Sequence, residues 1–261
     1  MNPYFRLMRL DKPVGIYLLL WPTLWALFLA ADGWPDIKLL AIFILGVVLM
    51  RSAGCVINDY ADRNIDKFVA RTQHRPITSG EISANSALIF FMFLIGAAFL
   101  LVLFTNSLTI QLALIAGLLA TLYPFTKRWT HLPQFVLGMA FAMSVPMAFA
   151  ATNSFVSDGA WWVFTATLIW TVIYDTMYAM ADREEDLKIG VKSTAVLFAS
   201  YDRLILGILQ ISLICVFYKI SAKHSFSCEN LFKSRHWHRK QKNHFHKHKT
   251  SDNIKYHKPL C

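Results

Sequence analysis

LLAIFILGVVLMRSAGCVINDYADRNID, Leu39 to Asp66, decides how this chain is read. Residues 39–57 are almost wholly apolar. About 20 apolar residues suffice for a helix to cross the hydrocarbon core of a bilayer. The run then ends on Asn58, Asp59, Asp62 and Asp66, an abrupt change to acid. The same change recurs downstream. WWVFTATLIW, residues 161–170, leads into YDTMYAMADREED, residues 174–186. Both acidic stretches contain A-D-R-x-x-D, with Asp62 and Asp66 in one and Asp182 and Asp186 in the other.

Composition agrees with a membrane reading. The 261 residues are 56% hydrophobic and only 16% charged, against about 25% charged in soluble domains. Seven spans are expected: 14–31, 37–57, 85–104, 107–124, 133–151, 160–181 and 203–219. None alternates as a barrel strand would, so the fold class is an all-α integral membrane bundle, whose helices satisfy their own backbone in lipid. The first span is interrupted by Trp21, Pro22 and Trp25 and is read as a retained span rather than a cleaved signal. Cys55, Cys215, Cys228 and Cys261 are scattered, which argues against a zinc cluster or a disulfide framework. Cys55, beside Gly54, is read as a small packing residue.

Basic residues mark cytoplasmic loops. Arg6, Arg9 and Lys12 precede span one; Arg63, Lys67, Arg71 and Arg75 follow span two; Lys127 and Arg128 follow span four; Arg183, Lys188 and Lys192 follow span six. The N-terminus is therefore expected in the cytoplasm. Four crossings separate the two acidic stretches, an even number, so they share a side whatever the absolute orientation. On continuous helices, Asn58, Asp59, Asp62 and Asp66 would fall within about 100° of one another, and Asp175, Asp182 and Asp186 within about 40°. Like charges so placed repel, and ionisable groups near lipid are costly. Such stripes call for a cation. Oxygen ligands suit a hard ion, Mg²⁺ first, and Mg²⁺ commonly bridges one or two carboxylates to phosphate.

These residues resemble a known family. NDYADRNID fits the N-D-x-x-D-x-x-x-D motif of the UbiA-type intramembrane prenyltransferases, and DTMYAMADREED resembles their second motif, D-x-x-Y-A-x-x-D-x-x-x-D, with Asp175, Tyr178, Ala179, Asp182 and Asp186 in place. RLDKPVGIYLLLWPTLWAL, RTQHRPITSGEIS and YPFTKRWTHLPQFVLG are similar to the branch that prenylates 4-hydroxybenzoate in ubiquinone synthesis. The resemblance runs from about Leu7 to Gln210. It implies a nine-helix bundle in the bacterial inner membrane, a central cavity, and acidic motifs at its cytoplasmic mouth. It implies Mg²⁺ on Asn58, Asp59, Asp62, Asp66, Asp182 and Asp186. Asn58, Arg71, Lys127, Arg128, Asp175 and Tyr178 would contact substrate, and Asp62, Asp182 and Arg128 would carry the catalysis. Polyprenyl diphosphate and 4-hydroxybenzoate are the implied substrates, with membrane lipid around them and no nucleic acid. Arg71, His74 and Arg75 lie in a loop able to close over a diphosphate, or to serve only as a basic cytoplasmic loop. Lys127 and Arg128 are likewise open to a plain anchoring role.

Two other functions stay in view. One is prenyl transfer to another acceptor, such as naphthoate, homogentisate, haem or a chlorophyll precursor. The other is transport of a divalent cation or organic anion. Transport sites sit near the bilayer midplane on broken helices, whereas both acidic stretches here end their helices on one side.

The chain divides at about residue 219. Residues 1–219 form the membrane domain. Residues 219–261 hold eleven Lys/Arg against two acids, a net +9, leaving 15 bases and 14 acids in residues 1–218. Seven of the nine histidines lie in this basic tail. The favoured expectation is an out-of-frame replacement of two helices, with a disordered tail. A metal-binding extension using His236, His238, His244, His246 and His248, and binding to acidic lipid or nucleic acid by charge, are the other readings.

Overall fold

The computed structural model describes residues 2–68 and 72–222. The tail histidines and Arg71 lie outside the described residues. The bundle belongs to one compact unit, Met1–Phe217. A short helix α1 (Pro3–Leu7) is followed by α2 (Val14–Ala30), α3 (Ile37–Asp62), α4 (Ala84–Val102) and α5 (Ser107–Thr126). Next come α6 (Pro133–Ala142), α7 (Ser144–Asn153), α8 (Asp158–Ala181), α9 (Arg183–Ile189) and α10 (Thr194–Phe198). A further helix, α11, runs from 202 to 222. No strand occurs among the described residues. Each expected span begins within two residues of an observed helix.

Several helix starts are fixed by polar caps. Asp36 accepts from Lys38 N at 2.7 Å, Ser83 from Ser86 N at 3.1 Å, and Asn106 from Thr109 N at 2.9 Å. Each satisfies a first-turn N–H that has no intrahelical partner. The Asn106 amide also donates to the Ala150 carbonyl at 2.5 Å, and Asn153 Nδ2 to Ala30 O at 3.0 Å. These two bonds tie α5 and α2 to α7 at one end of the bundle.

Among the described residues, six helical segments are long and apolar enough to cross a membrane, counting α6 with α7 and α10 with α11, and α2 is a shorter apolar helix of 17 residues. At 1.5 Å per residue α2 is about 25 Å long, near the lower limit for a span. The fifth span, expected as one helix over 133–151, is broken at Met143. Pro146 explains the break: it lacks an N–H, and its ring conflicts with the carbonyl four residues back, at Ala142, where α6 stops.

Large apolar side chains such as Ile89, Phe93, Leu118, Ile208 and Ile214 are exposed. Contiguous apolar surface of this kind is unsustainable in water and natural against lipid. The chain is a multi-pass membrane protein.

Inside the bundle, packing depends on small residues. A Cβ on Gly138 would lie 2.9 Å from Leu168 Cδ1 and 3.1 Å from the Leu168 carbonyl. α6 and α8 therefore touch through a bare backbone, the approach that small residues permit between membrane helices. Gly96 on α4 has no neighbour within 4 Å of its would-be Cβ. Gly138→Leu is expected to cost about 1–3 kcal/mol by overpacking, read as a lowered melting temperature in detergent. Gly96→Ala is expected to leave that temperature unchanged.

Candidate active site

The first acidic segment does not stay helical. α3 ends at Asp62, and Asp66 sits on a separate 3₁₀ turn, Asp66–Phe68. The second behaves alike: α8 ends at Ala181, Asp182 is the junction, and Asp186 lies on α9. The expected continuous stripes are thus corrected. The first acidic segment is a helix end followed by a turn, and the second is a helix end, a break at Asp182 and a short helix. A run of carboxylates at a helix C-terminus opposes the macrodipole, whereas in the first turn of α9 it is favoured.

The two segments nonetheless meet. A cavity of about 1320 Å³ is lined by Asn58 and Asp59 from the first and by Asp175, Tyr178, Asp182 and Asp186 from the second. Its deeper wall is apolar, built from α2–α7 residues such as Leu19, Phe43, Phe91, Val102 and Leu114. Around the mouth stand Arg9, Lys12, Arg75, Lys127 and Lys192.

The basic residues hold the acids in place. Asp59 is 1% exposed and receives Arg9 Nη2 on both oxygens, at 3.0 and 3.1 Å. Arg75 Nη1 lies 3.0 Å from Asp59 Oδ1 and 2.7 Å from Asp66 Oδ2. Lys127 Nζ lies 2.7 Å from Asp62 Oδ2 and 3.2 Å from Asn58 Oδ1. Asp62 and Asp66 are absent from the cavity wall and reach it through Lys127 and Arg75, which do line it. Burial pushes the Asp66 carboxyl above its ordinary range, and Arg75 offsets only part of that. Burial alone would lower the pKa of Lys127, but Asp62 and Tyr123 override it and raise it, so the ammonium stays charged.

The loop after α3 is pinned from the N-terminus. Arg6 pairs with Glu81 at 2.9 Å and donates to the His74 carbonyl at 2.9 Å, while Leu7, Ile77 and Ile82 pack with α3 and α4. This packing carries Arg75 to the mouth. Across the cavity, Gly190 takes φ +72° and turns the chain after α9, with Val191 N bonded to Asp186 O at 3.0 Å. Thr194 N then donates to buried Gln134 Oε1 at 3.0 Å, and the Thr194 and Thr176 hydroxyls pair at 2.7 Å. Residues 191–193 are thereby fastened along the cavity wall.

Arg128 sits elsewhere than expected. Its Nη2 donates to the Ala61 carbonyl at 2.8 Å, and it is absent from the cavity wall. It supports the end of α3 beside Asp62. The two arginines of the repeated A-D-R also part company: Arg63 folds back on the Tyr60 carbonyl, whereas Arg183 pairs with Asp202.

One cavity residue escaped the sequence reading. Arg51 lies within α3 and lines the cavity. Its Nη1 donates to Cys55 Sγ at 2.7 Å, and its buried Nε has no partner among the described residues. A Cβ on Gly15 would fall 2.5 Å from Arg51 Nη2, so Gly15 gives the guanidinium its room. Asp175 lies within electrostatic reach of Arg51 and Lys127. Ser144 Oγ, also on the cavity wall, is a second buried polar atom without a partner among the described residues. The available signal was a lone arginine inside an apolar run, which in a membrane is a functional mark by default.

The donor set at the mouth consists of carboxylates and one amide oxygen, which suits a hard divalent cation such as Mg²⁺. Among the described residues no three His, Cys, Asp or Glu side chains are grouped to hold a metal alone. That fits Mg²⁺, which is usually held by one or two carboxylates with substrate phosphate completing its shell.

Comparison with known proteins agrees with this architecture. The model of the UbiA prenyltransferase family matches residues 19–226, some way beyond Gln210. The 4-hydroxybenzoate octaprenyltransferase of Vesicomyosocius okutanii subsp. Calyptogena okutanii is 75% identical over 214 residues, covering 82% of this chain and 78% of that protein. The enzyme of the same name from Saccharophagus degradans is 62% identical over 208 residues, covering 80% and 70%. A UbiA homolog from Archaeoglobus fulgidus, solved with GPP and Mg²⁺, superposes with a TM-score of 0.72 at 18% identity, covering 84% of this chain and 77% of that one. The apo UbiA homolog from Aeropyrum pernix K1 gives 0.68 at 23% identity, covering 78% and 76%. The chain belongs to the UbiA prenyltransferase family.

Proposed function

We propose that this protein transfers a polyprenyl group from polyprenyl diphosphate to the ring carbon ortho to the hydroxyl of 4-hydroxybenzoate, on the route to ubiquinone. The observation that carries the reading is the pair of acidic segments facing one apolar cavity with cations at its mouth. Relatives named as 4-hydroxybenzoate octaprenyltransferases support the acceptor, and the homolog bound to GPP and Mg²⁺ supports the donor and the metal.

Asn58, Asp59, Asp62 and Asp66 on one side, and Asp182 and Asp186 on the other, would hold Mg²⁺. The metal would supply Lewis-acid neutralisation of the departing diphosphate. Lys127 and Arg75 line the mouth and add positive charge where the leaving group gains negative charge. Arg71, in the same loop, is assigned to the diphosphate on sequence grounds. The apolar wall holds the isoprenoid tail and keeps water from the reacting allylic carbon. Asp175 and Tyr178 line the cavity and would contact the substrate. Arg128 acts through the Ala61 carbonyl that it caps and so steadies Asp62.

Arg51 is the best placed cation for the acceptor carboxylate. It lies within α3 on the cavity wall, and its Nε awaits an acceptor. The charge pattern of the loops supports a site that faces the cytoplasm, and the resemblance to the 4-hydroxybenzoate branch supports a bacterial inner membrane. A transporter is disfavoured because the acids ring one mouth instead of a midplane break.

Mg²⁺-dependent diphosphate release by the purified protein, across a panel of aromatic acids, is the direct test. Release with 4-hydroxybenzoate is expected, and its absence with every acceptor would overturn the reading. Asp62→Ala and Asp182→Ala should each lower turnover by about a hundredfold or more, since a metal supplies several kcal/mol of charge stabilisation. EDTA should reproduce that loss, and Mg²⁺ should reverse it.

Arg51→Met should raise the KM for the aromatic acid with little change for the diphosphate. Gly15→Val, which displaces the guanidinium, should act the same way. Arg128→Ala should instead lower kcat, and an acceptor-only KM effect there would return the carboxylate to Arg128.

Every described site residue lies within residues 9–193. Truncation after Ala222 should therefore leave diphosphate release unchanged, as measured on detergent-purified protein.

A further inference from the structure

The acids of the first segment already have partners, and the partners are the cations expected to meet the diphosphate. Arg9 and Arg75 hold Asp59, Arg75 also holds Asp66, and Lys127 holds Asp62. Among the described residues, three carboxylates face three cations, so this cluster is neutral. A bare divalent cation arriving there gains no net attraction. It must also evict a guanidinium or an ammonium from a largely buried site. Arg75 is 12% exposed, and Asp59 and Asp66 are 1% and 7% exposed at the side chain. Removing one partner from such a pair leaves an uncompensated buried charge, which is strongly destabilising. An incoming diphosphate changes that balance, because it gives the evicted cations new anionic oxygens. Both Arg75 and Lys127 line the cavity, so both are positioned to make that exchange.

We infer that Arg75 and Lys127 are exchangeable counter-ions, which neutralise Asp59, Asp62 and Asp66 in the metal-free protein and pass to the diphosphate when metal and diphosphate bind together. This rests on the prenyl-diphosphate reading above. Arg9 keeps its two bonds to Asp59 throughout and anchors that carboxylate. The absence of a preformed three-acid group among the described residues follows from the same arrangement, since each acid is drawn toward its own cation. The consequence is positive coupling between divalent cation and diphosphate, and coupling is reciprocal: each must tighten the other by the same factor. The metal-free protein is also protected from the mutual repulsion of its carboxylates.

The test measures Mn²⁺ binding to the full chain in detergent by electron paramagnetic resonance. It is done with Mn²⁺ alone and with Mn²⁺ plus geranyl S-thiolodiphosphate, which resists ionisation. In the unmodified protein, Mn²⁺ alone should bind weakly, and the analogue should tighten it by about tenfold or more, within the usual range of coupling. Arg75→Gln should tighten binding of Mn²⁺ alone and shrink the gain from the analogue. Lys127→Met should do the same, which keeps the test alive if one variant folds poorly. Arg75→Lys, which keeps the charge, should restore the behaviour of the unmodified protein. If the analogue tightens Mn²⁺ in the unmodified protein but neither neutral variant binds Mn²⁺ alone more tightly, the counter-ion exchange is wrong and the prenyl-diphosphate reading stands. If the analogue has no effect on Mn²⁺ in the unmodified protein, the prenyl-diphosphate reading itself fails.

Discussion

Asp59 stands at the end of an apolar helix with 1% of its surface exposed. A carboxylate so placed has lost its hydration, and only a matched cation makes its charge tolerable. Arg9 comes to it from the segment before α2, and Arg75 from the loop before α4. Much of the mouth follows from that requirement. The loop must be fastened to deliver Arg75, so Arg6 ties it to α1 and Ile77 and Ile82 bury it. Lys127 must close the end of α5 over Asp62, and Arg128 beside it donates to the Ala61 carbonyl near the end of α3. Three helix ends and a loop are drawn together by charge that the lipid cannot solvate.

The same constraint separates the two regions of the cavity. The mouth is polar because the acids and their partners are there, while the wall beyond is apolar because bundle and lipid leave few uses for polarity. A diphosphate joined to an isoprenoid tail has this division within one molecule. Arg51 is the exception, a cation set in the helical wall above Cys55 and opposite Gly15. Its position beyond the acidic ring gives the cavity a second polar point, suited to an acid smaller than the diphosphate.

The sequence made the spans legible because a bilayer demands length and apolarity, and both can be counted. The break at Met143 passed unseen, since composition is uniform across residues 133–151. Pro146 was the sign, and it had to be read against the carbonyl four residues earlier. The parity argument placed both acidic segments on one side, and it held because it needs only the number of crossings. Continuous helix through Asp66 and Asp186 does not form, since the chain turns after Asp62 and breaks at Asp182, yet Asp175, Asp182 and Asp186 still line one cavity. Arg51 is hard to read from sequence because arginines in loops report orientation. Within a span the same residue reports a site. The contact of Arg128 with Ala61 depends on tertiary packing between α3 and the end of α5, which no local pattern encodes.

The central claim is that two acidic segments 120 residues apart in A-D-R register act as one diphosphate site. A double-mutant cycle tests it most directly, using Asp62→Asn, Asp182→Asn and the pair, with affinity for prenyl thiolodiphosphate in Mg²⁺ as the readout. If both segments share one ligand, the double variant should lose much less than the sum of the single losses, with a coupling of about 1 kcal/mol or more. Losses that add to within about 0.3–0.5 kcal/mol would mean independent sites and would contradict the account.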